Sequence, residues 1–486
     1  MLRMLAFDYG ASSGRAVMGS FDGKVLRTEE VHRFSNDPVF AGGTLYWDFL
    51  RLFYEMKQGI LKSRSHNLSS IGIDSWAVDF GLLDKNGRLL GNPVHYRDSR
   101  TDGSIEEIAK IVDKRDIYER TGIQFMVINT LNQLYAMVKE DAAAFDKAET
   151  LLFIPDLLAY FLTGHKVSEL TVASTSQMLN SVTRKWDFDL LEKLNIKTSM
   201  LPDIVEAGTV LGPLSTRVQE ELGIGAVPVI SVAEHDTASA VVAVPAKDEN
   251  HAYLSSGTWS LLGVELNAPV INDITYNVNY TNEGGVHGTT RLLKNIMGLW
   301  IYQECKREWD EEGRKLSFDE LEEEASECPP FRSFIDPDND LFFGQGNMPR
   351  KVCAFCRDTG QHVPEDKFSI VRCIMESLAL KYRMVIEGLE KITGKKINVL
   401  HIVGGGCKNR MLNQFAANAT GKTVITGPTE ATAIGNLLCQ LMGLGEIKNL
   451  REARELVLNS FETAVYQPKN TSAWQEAYER FKMYVK

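Results

Sequence analysis

The chain has 486 residues, about three times the ~150 residues of a typical domain, so its length predicts two large domains or three small ones. Hydrophobic residues make up 44% of the chain and charged residues 24%. This composition is typical of globular proteins and excludes collagen-like, coiled-coil and disordered chains. The 53 basic and 64 acidic residues give a net charge of −11, which argues against a surface that binds nucleic acid or anionic lipid.

Cysteine usage and the lack of long apolar runs indicate the compartment. The seven cysteines are sparse, odd in number and confined to the second half of the chain, unlike the dense, even disulfide frameworks of small secreted domains. The N-terminal apolar run, residues 4–7, is too short for the core of a signal peptide, and nowhere do 18 apolar residues follow one another. We therefore expect a cytoplasmic protein with no membrane partner.

The first half of the chain begins with strands and continues with helix. Apolar-rich runs that are typical of strands occupy residues 2–7, 15–21, 24–34, 71–75 and 78–83. A short tip of small residues joins the first two runs, and Asp22-Gly23 is a strong hairpin turn before the third. We predict an antiparallel meander at the start of the chain, followed later by helix over residues 102–120.

A similar pattern starts again in the second half. Strand-like residues 252–255 and 258–264 flank Ser256-Gly257, so a small-residue tip again lies between two strands. Gly14 and Gly257 are 243 residues apart, which is half of the chain length and predicts two similarly built halves. We place their junction near Val244, where an apolar helical stretch ends.

The last third has the most regular pattern. Apolar residues recur at helical spacing from 368 to 393, and Gly394 follows as a stop signal, which predicts one long amphipathic helix. Strand, helix, strand and helix are then predicted in turn over residues 397–403, 409–420, 423–426 and 430–444. Because helices alternate with strands here, we predict that the strands are parallel.

The tip between the first two strands, residues 8–15 (DYGASSGR), carries groups that could bind phosphate. Its exposed N–H groups, its hydroxyls and Arg15 could hold phosphate oxygens, while Asp8 could orient water molecules around Mg²⁺. The alternative interpretation is a Gly/Ser hairpin turn capped by Asp8. The second tip, residues 254–260, has neither an acid nor a base and is a weaker candidate.

Two further segments could carry chemistry. Gly404-Gly405-Gly406 lies between a predicted strand and a predicted helix, where a flat ring could approach the backbone; the alternative is a strand-to-helix turn. Asp236 follows the buried strand 227–233, at the end of a strand where α/β sheets bind ligands, and could accept a proton from an alcohol. The alternative is that Asp236 is only a helix N-cap and His235 a surface group.

Taken together, these segments resemble a known group of proteins. The tip at 8–15, SSGTW at 255–259 and GGG at 404–406 resemble the phosphate and adenosine loops of the superfamily that contains sugar kinases, heat-shock proteins and actin. From residue 5 to about 465, the chain is similar to the FGGY carbohydrate kinases. Five motifs look like those of the family members that act on L-rhamnulose: SWAVDFG at 75–81, AEHDTASAV at 233–241, LSSGTWSLLGVE at 254–265, NEGG at 282–285 and GPTEATAIGN at 427–436.

The resemblance implies both a fold and a reaction. The fold is α/β, with two ribonuclease-H-like (actin-like ATPase) domains at residues 1–244 and 245–486, mixed sheets flanked by helices, and a ligand cleft between the domains. The reaction is an ATP-dependent phosphorylation of the C1 hydroxyl of L-rhamnulose in L-rhamnose catabolism, which gives L-rhamnulose 1-phosphate and ADP. L-Fuculose and D-xylulose are the alternative substrates.

The resemblance also implies roles for individual residues. Asp236 would be the general base, and Asp8 would help to hold Mg²⁺ through water. The residues expected to contact ATP are Ala11, Ser12, Ser13, Gly14, Arg15, Thr258, Gln303 and Gly405. The residues expected to contact the sugar are Gly81, His235, Thr237 and Asn295. Relatives also suggest that Cys356 and Cys373 lie near each other, and a reducing compartment favours free thiols there.

Two other classes of protein remain as alternatives. An actin-like or chaperone-type ATPase would share the phosphate loops, but it would not need a carboxylate beside a hydroxyl pocket, and chaperones add a long substrate domain. A non-catalytic sugar sensor would be expected to lose Asp236 or the glycine tips, and this chain has both. Small-molecule sugar and ATP are therefore the expected partners, and the sequence gives no indication of the oligomeric state.

Overall fold

The computed structural model describes residues 1–140, 143–313 and 315–485. Its strands are β1 Leu2–Tyr9, β2 Ser13–Phe21, β3 Leu26–Ser35, β4 Val39–Ala41, β5 Thr44–Tyr46, β6 Ser70–Ser75, β7 Phe80–Leu83, β8 Thr150–Phe153, β9 Ser168–Glu169, β10 Leu179–Asn180, β11 Lys185–Trp186, β12 Ile204–Val205, β13 Thr209–Pro213, β14 Pro228–Ser231, β15 His251–Ser256, β16 Trp259–Leu266, β17 Thr281–Gly284, β18 Thr290–Met297, β19 Val399–Val403, β20 Thr423–Thr426 and β21 Ala464–Tyr466.

The helices alternate with these strands along most of the chain. They are α1 Phe49–Ser63, α2 Ser104–Ile108, α3 Lys114–Thr121, α4 Thr130–Lys139, α5 Ala143–Lys147, α6 Ile154–Thr163, α7 Leu170–Ala173, α8 Phe188–Lys193, α9 Thr216–Leu222, α10 Asp236–Val242, α11 Asp273–Asn277, α12 Trp300–Glu311, α13 Phe318–Glu327, α14 Met348–Asp358, α15 Lys367–Thr393, α16 Arg410–Thr420, α17 Ala431–Gly443, α18 Leu450–Ser460 and α19 Thr471–Phe481.

The chain forms two compact units. Unit 1 contains Met1–Ala243, Glu265–Leu292 and Ala431–Ser460, and unit 2 contains Val244–Val264, Leu293–Glu430 and Phe461–Lys486. The first boundary between the units, at residues 243 and 244, lies next to the predicted boundary between the domains 1–244 and 245–486. The units differ from the predicted domains because two later segments are packed within unit 1. The predicted domain limits therefore stay a prediction.

Unit 1 is built on a mixed six-stranded sheet in the order β13-β14-β6-β1-β2-β3. β1, β2 and β3 are antiparallel neighbours, which confirms the predicted meander. β6 pairs in parallel with both β1 and β14. The last six residues of β1 are all buried, as expected for a strand in the middle of a sheet covered on both faces. A second hydrophobic core includes Phe80 and Leu82 of β7, Leu151 of β8 and Leu134 of α4.

Unit 2 repeats the same arrangement. Its sheet contains the order β18-β16-β15-β19-β20-β21, in which β15 is antiparallel to β16 and parallel to β19, and β19 is parallel to β20. Each unit thus has an antiparallel hairpin followed by two parallel strands on one side of its first strand. The prediction of two similarly built halves and the prediction of parallel strands in the last third are both confirmed.

The helices agree with the sequence patterns except at one point. α15 matches the predicted helix over 368–393; Asp366 caps its start and Gly394 adopts the left-handed conformation at its end. Residues 102–120 are helical over most of their length, as predicted, but they form two helices, α2 and α3, with a break between them. Asp113 causes the division: its side chain accepts a hydrogen bond from the Arg115 amide and starts a new helix.

α17 is the helix that links the C-terminal part of the chain to the unit 1 sheet. Asn436 donates to the Asp74 carboxylate of β6 at 2.6 Å. The Gln440 amide donates to the Leu5 carbonyl of β1 at 3.1 Å, and its oxygen accepts from the Ser70 hydroxyl of β6 at 2.7 Å. α17 therefore belongs to unit 1 through buried polar contacts as well as packing.

Two further features concern the cysteines and the hydropathy of the helices. All seven cysteines are free thiols. Cys356 and Cys373 lie close enough for a hydrogen bond between their side chains, which lowers the pKa of Cys356 and raises that of Cys373.

Over residues 1–140, 143–313 and 315–485, no helix is both long and apolar enough to cross a lipid bilayer.

The contact between α10 and α17 depends on a glycine. A Cβ atom added at Gly435 would lie 1.7 Å from the Ser239 carbonyl oxygen, so Gly435→Ala must force the two helices apart. We expect this variant to lower the free energy of unfolding by about 1 to 3 kcal/mol, measured by urea denaturation. Gly225→Ala is the matched control, because a Cβ there meets no atom within 4 Å; an equal loss in both variants would contradict the close packing.

Candidate active site

Three parallel strands of unit 1 bring acidic groups to one edge of the sheet. Asp8 of β1 and Asp74 of β6 are partners in the parallel register. The next residue of β6, Ser75, forms a parallel bridge with His235, and its amide donates to the Glu234 carbonyl at 2.9 Å. Because the carboxyl ends of these strands meet, Asp8, Asp74 and Asp236 lie near one another. Each of the other two raises the pKa of Asp74, after burial, which is the largest cause.

Asp74 is a site residue that the sequence reasoning missed. It is fully buried and lies within an apolar strand, so the pattern indicates only a strand. The available signal was its position: like Asp8, it is an acid near the end of a strand that is followed by small or polar residues. Only the register between β1 and β6 shows that the two acids are neighbours.

The tip between β1 and β2 is the segment predicted to bind phosphate, and its ligand contacts stay a prediction. Arg15 contacts Asp8 Oδ2 through two nitrogens, at 2.9 Å from Nε and 2.6 Å from Nη2. The Gly10 amide donates to the Ser13 carbonyl at 3.0 Å, and Asn36 holds the loop by donating to the carbonyls of Gly10 and Ser12. Ala11 and Ser13 are half-buried, Ser12 is exposed and Gly14 is buried. The loop is thus fixed at its base and open at its tip.

Asp236 is the first residue of α10, and the residue at the N-cap position is His235. The interpretation of Asp236 as a simple N-cap is therefore wrong. Its Oδ1 accepts hydrogen bonds from the amide and the hydroxyl of Thr237, and it lies 3.4 Å from Nε2 of His235. One third of the side chain is exposed. Desolvation is the largest effect on the Asp236 carboxyl and raises its pKa; His235 and Thr237 oppose this, and Asp8 adds to it.

The acidic groups fit a magnesium ion that is bound through water. Oδ1 of Asp74 is buried without a hydrogen-bond partner, and the neighbouring carboxylates make its ionisation unfavourable, so a divalent cation beside them would relieve both problems. In the part of the chain that the structure describes, no three His, Cys, Asp or Glu side chains are arranged as direct metal ligands. Mg²⁺ keeps several water ligands in many proteins, and the role of Asp8 in holding it through water stays a prediction.

A buried acid fixes the segment that carries His235 and Asp236. Oε2 of Glu169 accepts from the Glu234 amide at 3.1 Å and also from the amide and hydroxyl of Thr171. The Thr171 hydroxyl lies 3.2 Å from the His235 amide, which donates to it. Asp156 accepts from the Glu169 amide at 3.0 Å. Burial raises the pKa of Glu169 to about 8 and that of Asp156 to about 7, so at pH 7 the Glu169 carboxyl favours the protonated form.

Gly81 lies on β7, two residues after a buried polar cluster. Asp79 Oδ2 accepts from the indole nitrogens of Trp47 and Trp76, at 2.6 and 3.1 Å. Burial raises the pKa of Asp79 to about 6, and the hydrogen bonds to it limit the shift. A Cβ at Gly81 would lie 2.5 Å from Leu157 Cδ2, so a larger residue here would require the Leu157 side chain to move. The contact of Gly81 with a sugar stays a prediction.

In unit 2, the second tip contacts the start of α12. The Thr258 carbonyl accepts from the Trp300 amide at 3.1 Å, and the Thr258 hydroxyl is 3.4 Å from the Gln303 side-chain oxygen. The structure therefore brings Thr258 and Gln303 together. Both residues were predicted to contact ATP, and that contact stays a prediction. Asn295 is half-buried on β18, and its contact with a sugar also stays a prediction.

The three glycines after β19 have different reasons to be glycine. A Cβ at Gly406 would lie 2.0 Å from Ser256 Oγ, and Gly404 has a φ of +84°, so packing and backbone conformation account for these two. A Cβ at Gly405 would meet nothing within 4 Å, and Gly405 is exposed. Just after it, a pocket of about 980 Å³ is lined by Cys407 and Lys408, a volume in the range of small-molecule sites.

Comparison with known proteins identifies the family of the chain. Residues 3–243 match the N-terminal domain of the FGGY family of carbohydrate kinases, and residues 252–444 match its C-terminal domain. A rhamnulokinase from Bacteroides thetaiotaomicron is 46% identical over 479 residues, which cover 98% of each chain. A rhamnulokinase from Oceanobacillus iheyensis is 43% identical over 464 residues, which cover 95% of this chain and 97% of that protein.

Solved structures with the same fold are more distant in sequence. A ligand-bound xylulose kinase from Lactobacillus acidophilus has a TM-score of 0.83 at 18% identity and covers 99% of this chain and 97% of its own. Plasmodium falciparum glycerol kinase with ADP has a TM-score of 0.78 at 18% identity and covers 99% of this chain and 98% of its own. These structures confirm the expected two-domain α/β fold, with mixed sheets flanked by helices.

The buried acid Glu169 makes stability depend on pH. Its pKa is about 8 in the folded protein, against an ordinary value of 4.5, so between these values the folded protein holds a proton that the unfolded chain releases. The free energy of unfolding must therefore fall as pH rises through this window, by at most about 1.4 kcal/mol per pH unit from this group. Glu169→Gln replaces the acid with a neutral amide, and we expect a shallower pH slope in urea denaturation experiments.

The exposed Glu192 provides the control for this experiment. Glu192→Gln should leave the pH slope of the wild type unchanged. If Glu169→Gln also leaves the slope unchanged, the Glu169 carboxyl is already ionised in the folded protein, and its proposed state is wrong.

Proposed function

The chain belongs to the FGGY family of carbohydrate kinases, and we propose that it transfers the γ-phosphoryl group of ATP to the C1 hydroxyl of L-rhamnulose. The observation that carries this proposal is the position of Asp236. It is a partly exposed carboxylate with a raised pKa, at the end of a parallel strand beside the arginine-bearing tip. Its surroundings match what a kinase needs, and relatives that share 41–46% of their sequence with the chain are rhamnulokinases.

Asp236 is the proposed general base. Phosphoryl transfer depends mainly on positioning and on neutralising charge, so one carboxylate that accepts the hydroxyl proton is enough. A raised pKa makes Asp236 a stronger base than an ordinary aspartate once it is ionised. Thr237 holds one oxygen of the carboxylate through its amide and hydroxyl, and this fixes the direction in which the carboxylate faces the sugar.

The tip of unit 1 is the proposed phosphate-binding segment. Backbone N–H groups of the tip at residues 11–14, where Ser12 is exposed, would donate to phosphate oxygens, and Arg15 would supply positive charge where the anionic transition state needs it. Asp8 and Asp74 would hold Mg²⁺ through water. When bound, Mg²⁺ neutralises charge on the phosphate oxygens of ATP.

We assign the remaining residues by their contacts and by the family resemblance. In unit 2, Thr258, Gln303 and Gly405 would contact ATP, and Asn295 would contact the sugar. In unit 1, Gly81, His235 and Thr237 would contact the sugar. An intracellular source of ATP and seven free thiols favour the cytoplasm as the place of action.

The role of Asp236 is tested by Asp236→Asn, which keeps the size of the side chain but removes the base. We expect kcat to fall by about 10² to 10⁴, while the Kd for ATP measured by calorimetry stays close to that of the wild type. Asp358→Asn is the control, because Asp358 is exposed at the end of α14. Turnover of a folded Asp236→Asn variant near the wild-type rate would exclude Asp236 as the base.

The substrate is tested by a panel of ketoses and polyols assayed by ADP release. A sugar whose hydroxyls leave buried polar groups of the protein unpaired loses about 1 to 3 kcal/mol of binding free energy for each hydrogen bond that is not made. We therefore expect the highest kcat/KM for L-rhamnulose, a lower value for its C4 epimer L-fuculose, and negligible turnover of glycerol. Nuclear magnetic resonance of the product should show the phosphate on O1. If L-fuculose or D-xylulose is preferred tenfold, the substrate assignment fails while the kinase assignment survives.

A further inference from the structure

A buried triangle of side chains lies behind His235 in unit 1. Arg291 Nη2 is 3.1 Å from Nδ1 of His235 and 3.1 Å from Oε2 of Glu283, and the third distance, from His235 Nδ1 to Glu283 Oε2, is 3.3 Å. The exposed fractions of the three side chains are 6% or less. None of the three residues belongs to the phosphate tip, and sequence reasoning gave no role to Arg291 or Glu283.

Arg291 and Glu283 form a buried ion pair. Burial alone would raise the pKa of Glu283, but the pKa is lowered, and the Arg291 guanidinium is the largest cause that opposes burial. Nε of Arg291 also donates to the Gly284 carbonyl at 2.9 Å, which fixes the plane of the guanidinium. An arginine held in this way, with 1% of its side chain exposed, cannot turn away from the imidazole.

The arginine restricts where the imidazole can carry its proton. A guanidinium has only donors, and the contact of Arg291 with Nδ1 of His235 has the distance and direction of a hydrogen bond. In this contact Nδ1 is the acceptor, whereas Glu283 Oε2, 3.3 Å from the same nitrogen, makes no hydrogen bond. A neutral His235 that accepts from Arg291 carries its proton on Nε2. That nitrogen is 3.4 Å from Oδ1 of Asp236, so the N–H of the imidazole is on the side of the proposed base.

We propose that Arg291, held by Glu283, is a positioning residue that fixes His235 in the Nε2–H tautomer. This inference rests on the proposed function, in which His235 contacts the sugar. A fixed donor beside Asp236 can bind a sugar hydroxyl as an acceptor and leave Asp236 to accept the proton from the reacting hydroxyl. Without Arg291, Glu283 would attract a proton to Nδ1, and Nε2 would become an acceptor. Nε2 would then offer a hydrogen-bond acceptor, instead of a donor, to the sugar hydroxyl.

The tautomer can be observed directly by ¹⁵N resonance of protein labelled at histidine, in alkaline buffer and without any sugar. The His235 signals are assigned by their loss in His235→Gln. We expect the wild type to show a protonated Nε2 and an unprotonated Nδ1, and Arg291→Met to lose this pattern. A protonated Nδ1 in the wild type, or an unchanged pattern in folded Arg291→Met, would overturn the proposal.

Steady-state kinetics provide the second readout. Since a lost hydrogen bond to a substrate typically weakens binding by about tenfold or more, Arg291→Met should raise the KM for the sugar by that factor and leave the KM for ATP within about twofold. Arg291→Lys retains a donor and should recover part of the loss. Equal changes in both KM values, with no recovery in Arg291→Lys, would reduce the triangle to a structural ion pair.

Two further variants keep the experiment informative. Arg291→Met leaves Glu283 as an unpaired buried charge and could fail to fold, so the double variant Arg291→Met/Glu283→Gln, which removes both charges, is measured in parallel. Arg454→Met removes a comparable arginine from its ion pair with Glu265 in unit 1, and should change stability but not the sugar KM. If the substrate assignment fails, the wild type itself will prefer another sugar in the ketose panel. If this inference fails, Arg291→Met will differ from the wild type neither in the histidine signals nor selectively in the sugar KM.

Discussion

Parallel pairing of β1, β6 and β14 is the constraint on which the rest of the site depends. Because these strands run in the same direction, their carboxyl ends meet, and Asp8, Asp74 and the segment that begins at Glu234 come to one edge. The same pairing that assembles the site also brings like charges together, which is unfavourable. Arg15, Asn436 and Thr237 each contact one of the three aspartates, and a divalent cation fits the remaining need for positive charge.

The groups that stabilise this edge come from distant parts of the chain. Asn436 and Gln440 of α17 reach β6 and β1, and Gly435 allows the helix to approach α10 closely. The GPTEATAIGN motif therefore has a structural role in unit 1, although it lies far along the sequence. Glu169 supports the same edge from another side through the Glu234 amide. A buried acid with a raised pKa is tolerated there because, when protonated, it carries no charge to desolvate.

Local patterns in the sequence predicted most of the elements but few of the partners. The meander, α15 and the parallel strands of unit 2 follow from periodicity and turn residues, which act over a few positions. The division of residues 102–120 was missed because the cap at Asp113 interrupts an otherwise helical pattern. Asp236 could be found from its place at a strand end. Asp74 could not, because its importance depends on register with Asp8, and a single strand carries no information about its neighbour's alignment.

Arg291 and Glu283 illustrate the same limit at the level of function. Arg291 is 56 residues from His235 in the chain, and its neighbours form an ordinary strand, so its position beside the imidazole follows only from the fold. This placement also separates two tasks. In the proposed mechanism, the carboxylates and the tip serve phosphoryl transfer, whereas the choice of sugar lies in residues that face the sugar or control those that do. A buried pair that sets the proton of His235 can change that choice without touching the sugar, because reversing one donor into an acceptor alters which hydroxyl geometry is matched.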